Sequence, residues 1–127
     1  MSVLVVGERS DALIELLEAR GVEAVAADPP LGRAVASGDV VVLAVEHGGP
    51  PPEIAWEVLA GGGILIAPRA EPSQGLQPGV DHLSGGSDRE LADLAAMAAA
   101  FPTALEPVAA MGHLAAHSRS IATTAAQ

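Results

Sequence analysis

Apolar residues along this chain come in short unbroken runs instead of alternating with polar ones. Val3 to Val6, Val22 to Ala27, Val40 to Val45 and Ile64 to Ala67 are apolar at nearly every position. Runs of this kind predict strands covered by helices on both faces. Between the first two, Leu13, Leu16 and Leu17 form the apolar face of a helix that Ser10 or Asp11 can cap, and Gly21 suits a left-handed residue closing it. Asp28-Pro29-Pro30 reads as a turn and Leu31 to Ser37 as a short helix ended by Gly38. Pro52 suits the first turn of the next helix and Gly61 its end. A strand joined to the next through a helix implies a right-handed crossover and parallel pairing. Three such units before Arg69 favour an open doubly wound sheet over a barrel.

Beyond Arg69, AEPSQGLQPG has no periodicity, and Val80 to Leu83 reads as a short strand. Ser87-Asp88-Arg89-Glu90 has the spacing of a capping box, in which the Ser87 hydroxyl and Glu90 carboxylate satisfy each other's backbone amides. Leu91, Leu94, Ala98 and Phe101 then define one buried stripe. Thr103 and Glu106 repeat the box for a last helix to about His117, with Pro107 in its first turn. The expected protein is a single α/β domain over 1–117: a three-layer α/β/α sandwich, Rossmann-like, with a parallel sheet of four or five strands and a C-terminal helical pair. Residues 118–127, small and polar, are expected to form a flexible tail.

Half of the 127 residues are hydrophobic, enough for one real core. A formal net charge of -10, with arginine as the sole strong base, argues against nucleic acid or anionic membrane as a partner. The lack of cysteine excludes disulfides, thiolate catalysis and zinc-cysteine sites. The lack of lysine excludes a P-loop, and no G-x-S-x-G elbow occurs. The opening MSVLVV has no basic leader, and no apolar run nears the roughly 20 residues of a membrane span, so a cytoplasmic protein is expected.

Ligands of parallel sheets sit at the carboxyl ends of the strands, here the loops after Gly7, Ala27 and Val45. Gly7-Glu8-Arg9-Ser10 places amides and a cation where a phosphate could lie, without the G-x-G-x-x-G spacing. Asp28 stands where dinucleotide-binding domains hold a ribose, and equally reads as a turn former before Pro29. His47-Gly48-Gly49-Pro50 joins a titratable ring to two glycines, ahead of a helix start that favours anions; a plain turn explains it as well. Glu57, early in that helix, can accept from two ribose hydroxyls or serve simply as a solvated acid favoured by the helix dipole. Trp56 offers a base a stacking face, or the core a large side chain. His113 and His117 share a helical face, but no third ligand is evident and no metal site is expected.

From Ala55 onward, Trp56-Glu57-Val58-Leu59-Ala60-Gly61-Gly62-Gly63-Ile64-Leu65, then Gly79-Val80-Asp81-His82-Leu83, Ser87 to Leu91 and Gly112 to His117 follow one another in a recognisable order. This order resembles the carboxyl-terminal half of GT-B glycosyltransferases, including the group related to spore-maturation CgeB-type proteins. The resemblance implies a nucleotide-sugar as ligand, with Glu57 beside it and His47, Gly48, Gly49, Gly7 and Ser10 nearby. Gly49 stands where the family commonly has a second glutamate. The family's diphosphate-gripping basic pair and acceptor domain have no counterpart here, so catalysis would require another domain or a partner subunit.

Other readings stay open. The opening VLVVGERSDALIELLEARGVEAV has the rhythm of a response-regulator receiver domain, but Gly7-Glu8, Val45-Glu46 and the missing lysine would make it an unphosphorylatable pseudo-receiver. A degenerate NAD-binding domain would use Gly7 to Asp11 and Asp28. A non-catalytic interaction domain would pack Ala109, Ala110, Ala115 and Ala116 of its last helix closely against another copy, as a homodimer.

Overall fold

The computed structural model describes residues 3–27, 39–45, 53–68 and 79–125. They form β1 (Val3–Val6), α1 (Ser10–Ala19), β2 (Ala24–Ala27), β3 (Val40–Leu43), α2 (Glu53–Ala60), β4 (Ile64–Pro68), β5 (Leu83–Gly85), α3 (Asp88–Ala100), a 3-10 turn (Pro102–Leu105) and α4 (Glu106–Ala125). The five strands make one sheet in the order β2-β1-β3-β4-β5, and every neighbouring pair is parallel. The expected three-layer, Rossmann-like α/β architecture is therefore present. The expected short helix at 31–37 and the turn at Asp28 lie outside the described residues.

The unbroken apolar runs are explained by the two cores they feed. Val3, Val5, Val40, Val42, Ile64 and Ile66 point to one side of the sheet, where Leu13 and Leu17 of α1 and Leu91, Ala92, Ala95 and Ala98 of α3 cover them. Val6, Val41, Leu43, Leu65 and Ala67 point to the other, under Ile54, Ala55, Trp56, Val58 and Leu59 of α2 and Ala116 of α4. Right-handed crossovers account for this division: the chain steps one way from β1 to β2 and the opposite way from β3 to β4, so α1 and α2 land on opposite faces.

The ends of the first two helices use the same device. Val22 donates its N–H to the Leu17 carbonyl and Gly21 to Glu18, while Gly63 donates to Val58 and Gly62 to Leu59. Both are Schellman closures, with Gly21 (φ 75°) and Gly62 (φ 80°) in the left-handed position. Gly61 directly follows the last residue of α2, at the expected end of the helix, and Gly62 takes the left-handed conformation one position later.

Several local expectations need correction. The start of α1 is capped by neither Ser10 nor Asp11: Arg9 holds the N-cap position without a side-chain cap bond, and Ser10 is already helical. The fifth strand begins at Leu83, because Gly79 donates its N–H to the His82 carbonyl and folds 79–82 into a turn. Ser87 does cap α3 by accepting from Glu90 N–H at 3.3 Å, but the Glu90 carboxylate accepts from Gly86 N–H instead of Ser87 N–H. Phe101 is 64% exposed at the C-cap of α3, so the buried stripe of that helix runs through the alanines. The last helix does not stop near His117 but continues to Ala125. Among the described residues, no single helix is long and apolar enough to cross a membrane.

Candidate functional site

In a sheet of this order the topological switch point lies between β1 and β3, and the crevice for ligands opens at their carboxyl ends. Gly7 ends β1 there with φ 131°. A β-carbon on it would lie 2.5 Å from the Ala44 carbonyl oxygen and 3.1 Å from Val45 Cγ1. The same approach lets Ala44 donate its N–H to Val6 and accept from Arg9 N–H at 2.9 Å. Gly7 therefore joins the loop after β1 to the end of β3. Ser10 follows at the start of α1, its N–H directed to the Gly7 carbonyl at 3.3 Å.

The cation of this loop is engaged. Arg9 pairs through its guanidinium with the Asp88 carboxylate, 79 positions away in the first turn of α3. Gly85 makes the tight passage from β5 into that helix; a β-carbon on it would meet Glu90 Cβ at 3.0 Å and the Leu91 amide nitrogen at 3.2 Å. A second pair joins the same two helices, with Arg20 Nε donating to Asp93 at 2.7 Å.

Glu57 is exposed on α2, while Ile54, Ala55, Trp56, Val58 and Leu59 are all buried. It is thus the one position between Ile54 and Leu59 that faces solvent. Trp56, 7% exposed, belongs to the core under α2, and its indole face is not open to a stacked base. Glu57 sits in the α2 layer and Ser10 in the α1 layer, on opposite faces of the sheet. His47, Gly48 and Gly49, and with them the loop after β3, lie outside the described residues, as does Asp28.

Of the two histidines that share a face of α4, His113 is held by the backbone of α2. His113 Nδ1 bonds the Ala60 carbonyl at 2.9 Å and ties α4 to the end of α2. No cluster of three or more metal-ligating side chains occurs among the described residues. A different histidine is buried: His82 Nδ1 lies 2.6 Å from Asp81 Oδ1, with the two residues 6% and 5% exposed. The carboxylate fixes the ring, and α4 passes directly over the pair, since a β-carbon on Gly112 would lie 2.7 Å from the Asp81 carbonyl oxygen and 2.6 Å from Leu59 Cδ2.

Three residues of this arrangement, Asp88, Asp81 and His82, are not marked out by sequence pattern. Asp88 was legible as a helix-start acid but not as the partner of Arg9, because pairs so distant in sequence leave no local signal. Asp81 and His82 fall within the strand expected at Val80 to Leu83; Gly79 is the sequence sign of a turn there. Comparison of the chain with protein-family models, with curated proteins and with solved structures finds no match.

Proposed function

We propose that this chain is a nucleotide-binding module of the kind that forms the nucleotide-sugar half of GT-B glycosyltransferases, holding its ligand at the carboxyl end of the sheet. The observation that supports this reading is the isolation of Glu57: five buried neighbours fix α2 against the sheet and leave Glu57 as the position between Ile54 and Leu59 that is presented to solvent. A carboxylate held in this way accepts hydrogen bonds from two adjacent ribose hydroxyls, and charge makes those bonds stronger than a neutral side chain would. His47, Gly48 and Gly49 precede it by eight to ten positions, and Gly7 and Ser10 belong to the loop after β1 at the switch point. Transfer chemistry is assigned to no residue of the chain, and a second domain or subunit would supply it.

The test is an amide chemical-shift titration with UDP, GDP, ADP and NAD. Saturable shifts centred on residues 46–57, weakened about tenfold or more in Glu57→Gln, are the expected result. Because Glu57 is exposed, that variant should leave thermal stability unchanged within about 0.5 kcal/mol. Absence of shifts with all four of these ligands would overturn the proposal.

A second reading, a protein-interaction domain, is favoured by one observation. Met97, Phe101, Met111 and Leu114 are exposed large apolar side chains of α3, its C-cap and α4. The alanines first considered for such a contact are mostly used inside the protein: Ala109 packs on the first core, Ala115 and Ala116 on the second. A self-association surface would therefore consist of Met111 and Leu114, and light scattering on Leu114→Glu distinguishes it.

A further inference from the structure

The geometry points to Asp88 as a built-in competitor that holds Arg9 away from an anionic ligand, so that the loop after β1 is self-inhibited toward phosphate. This inference rests on the nucleotide-binding reading for its ligand class, a diphosphate group, but not on Glu57. Arg9 is the cation of the loop at the switch point, where a phosphate of a bound ligand would approach. Its guanidinium is instead bonded to the Asp88 carboxylate, which has the charge and planar oxygen pair that a phosphate would offer.

The burial of the two partners sets their roles. The Arg9 side chain retains 43% of its exposure within the pair, and Asp88 only 17%. The guanidinium is therefore within reach of a solute while its carboxylate partner is the better-held member. The surrounding charges act in the same direction. Glu90, on the same turn of α3, already occupies the Gly86 N–H at 2.7 Å, and exposed Glu8 precedes Arg9 in the loop. Arg89, exposed beside Asp88, is the one charge at this end of α3 that opposes them, and it favours an anion. Holding α1 to α3 does not require the Arg9 pair alone, because Arg20 and Asp93 join the same two helices. An anion that binds here must displace Asp88 from Arg9, and removal of the Asp88 charge should substitute for that step.

The experiment uses inorganic pyrophosphate as the probe, titrated against the full chain and followed by the Arg9 side-chain Nε–Hε resonance and by calorimetry. The expected result is that Asp88→Asn binds pyrophosphate at least tenfold more tightly than the parent, and that the gain vanishes in Arg9→Gln/Asp88→Asn. Equal affinity in parent and Asp88→Asn, or a gain that survives Arg9→Gln, overturns the inference. Should Asp88→Asn fold poorly, Asp88→Ser serves the same purpose, since it too removes the charge beside the intact Ser87 cap. The two proposals fail separately: loss of the UDP response at residues 46–57 removes the nucleotide reading, whereas an unchanged pyrophosphate affinity removes only the competition by Asp88.

Discussion

Gly7 and Ala44 meet so closely that the fold admits no side chain between them: a β-carbon on Gly7 would stand 2.5 Å from the Ala44 carbonyl oxygen. The obstacle is backbone at the central pair of strands, and the Gly7 φ of 131° lies where L side chains are strained in any case. Strain of this kind costs roughly 1–3 kcal/mol and overpacking a similar amount. Gly7→Ala is therefore expected to destabilise the protein by about 2–4 kcal/mol, read from urea unfolding. A loss below about 0.5 kcal/mol would show that the loop after β1 and the end of β3 are not locked together, since that is the range of a neutral surface change.

Gly112 presents a similar test without the dihedral strain. A methyl group there would press on Leu59 Cδ2 at 2.6 Å and on the Asp81 carbonyl oxygen at 2.7 Å. The leucine can move and the carbonyl cannot, so Gly112→Ala should cost about 1–3 kcal/mol despite the better helix propensity of alanine. Restoration of stability by the second change Leu59→Ala would fail for the same reason: it relieves one of two contacts and opens a cavity. Thermal unfolding of both variants decides the matter.

Asp81 holds the buried His82 ring, so its truncation leaves Nδ1 without that bond in a site 6% exposed. An unsatisfied buried polar group costs on the order of 1–3 kcal/mol. Asp81→Ala should lose about that much, and Asp81→Asn, which keeps an acceptor oxygen, clearly less. If the two variants are equally stable, the bond does not contribute to the fold. Proton exchange of the His82 ring gives an independent reading, faster in Asp81→Ala than in the parent.

How much of this was legible in sequence depends on the range of the signal. Strands β3 and β4 are buried throughout and β1 at every position but Leu4, so their residues are apolar without interruption and announce themselves. Gly21 is recognisable because a left-handed residue after a leucine face has few alternatives. Gly61 and Gly62 differ in nothing that sequence displays, and only the hydrogen bonds of Gly62 and Gly63 show which one turns the chain. Helical spacing places Phe101 on the buried stripe with Leu91, Leu94 and Ala98, yet the α3 helix fills its core-facing side with Leu91 and alanines before reaching it. At the candidate site, Glu57 reads from sequence as a carboxylate early in a helix, whereas the structure puts it in the last turn of α2, its carbonyl accepting from Gly61 N–H, and its solvent-facing orientation follows from the packing of Trp56 and Val58. The Arg9 and Asp88 pair depends on the juxtaposition of α1 and α3, which no local pattern encodes.

The path of the final helix bears on how the protein comes apart. Leu105, Val108 and Ala109 lie against the core beneath α1 and α3, and a few residues later Ala115 and Ala116 lie against the core beneath α2. One continuous segment thus belongs to both sides of the sheet. Neither side can lose its covering layer while the other keeps α4 intact, so the two cores should melt as one cooperative unit and their slowest amides should share a single exchange free energy.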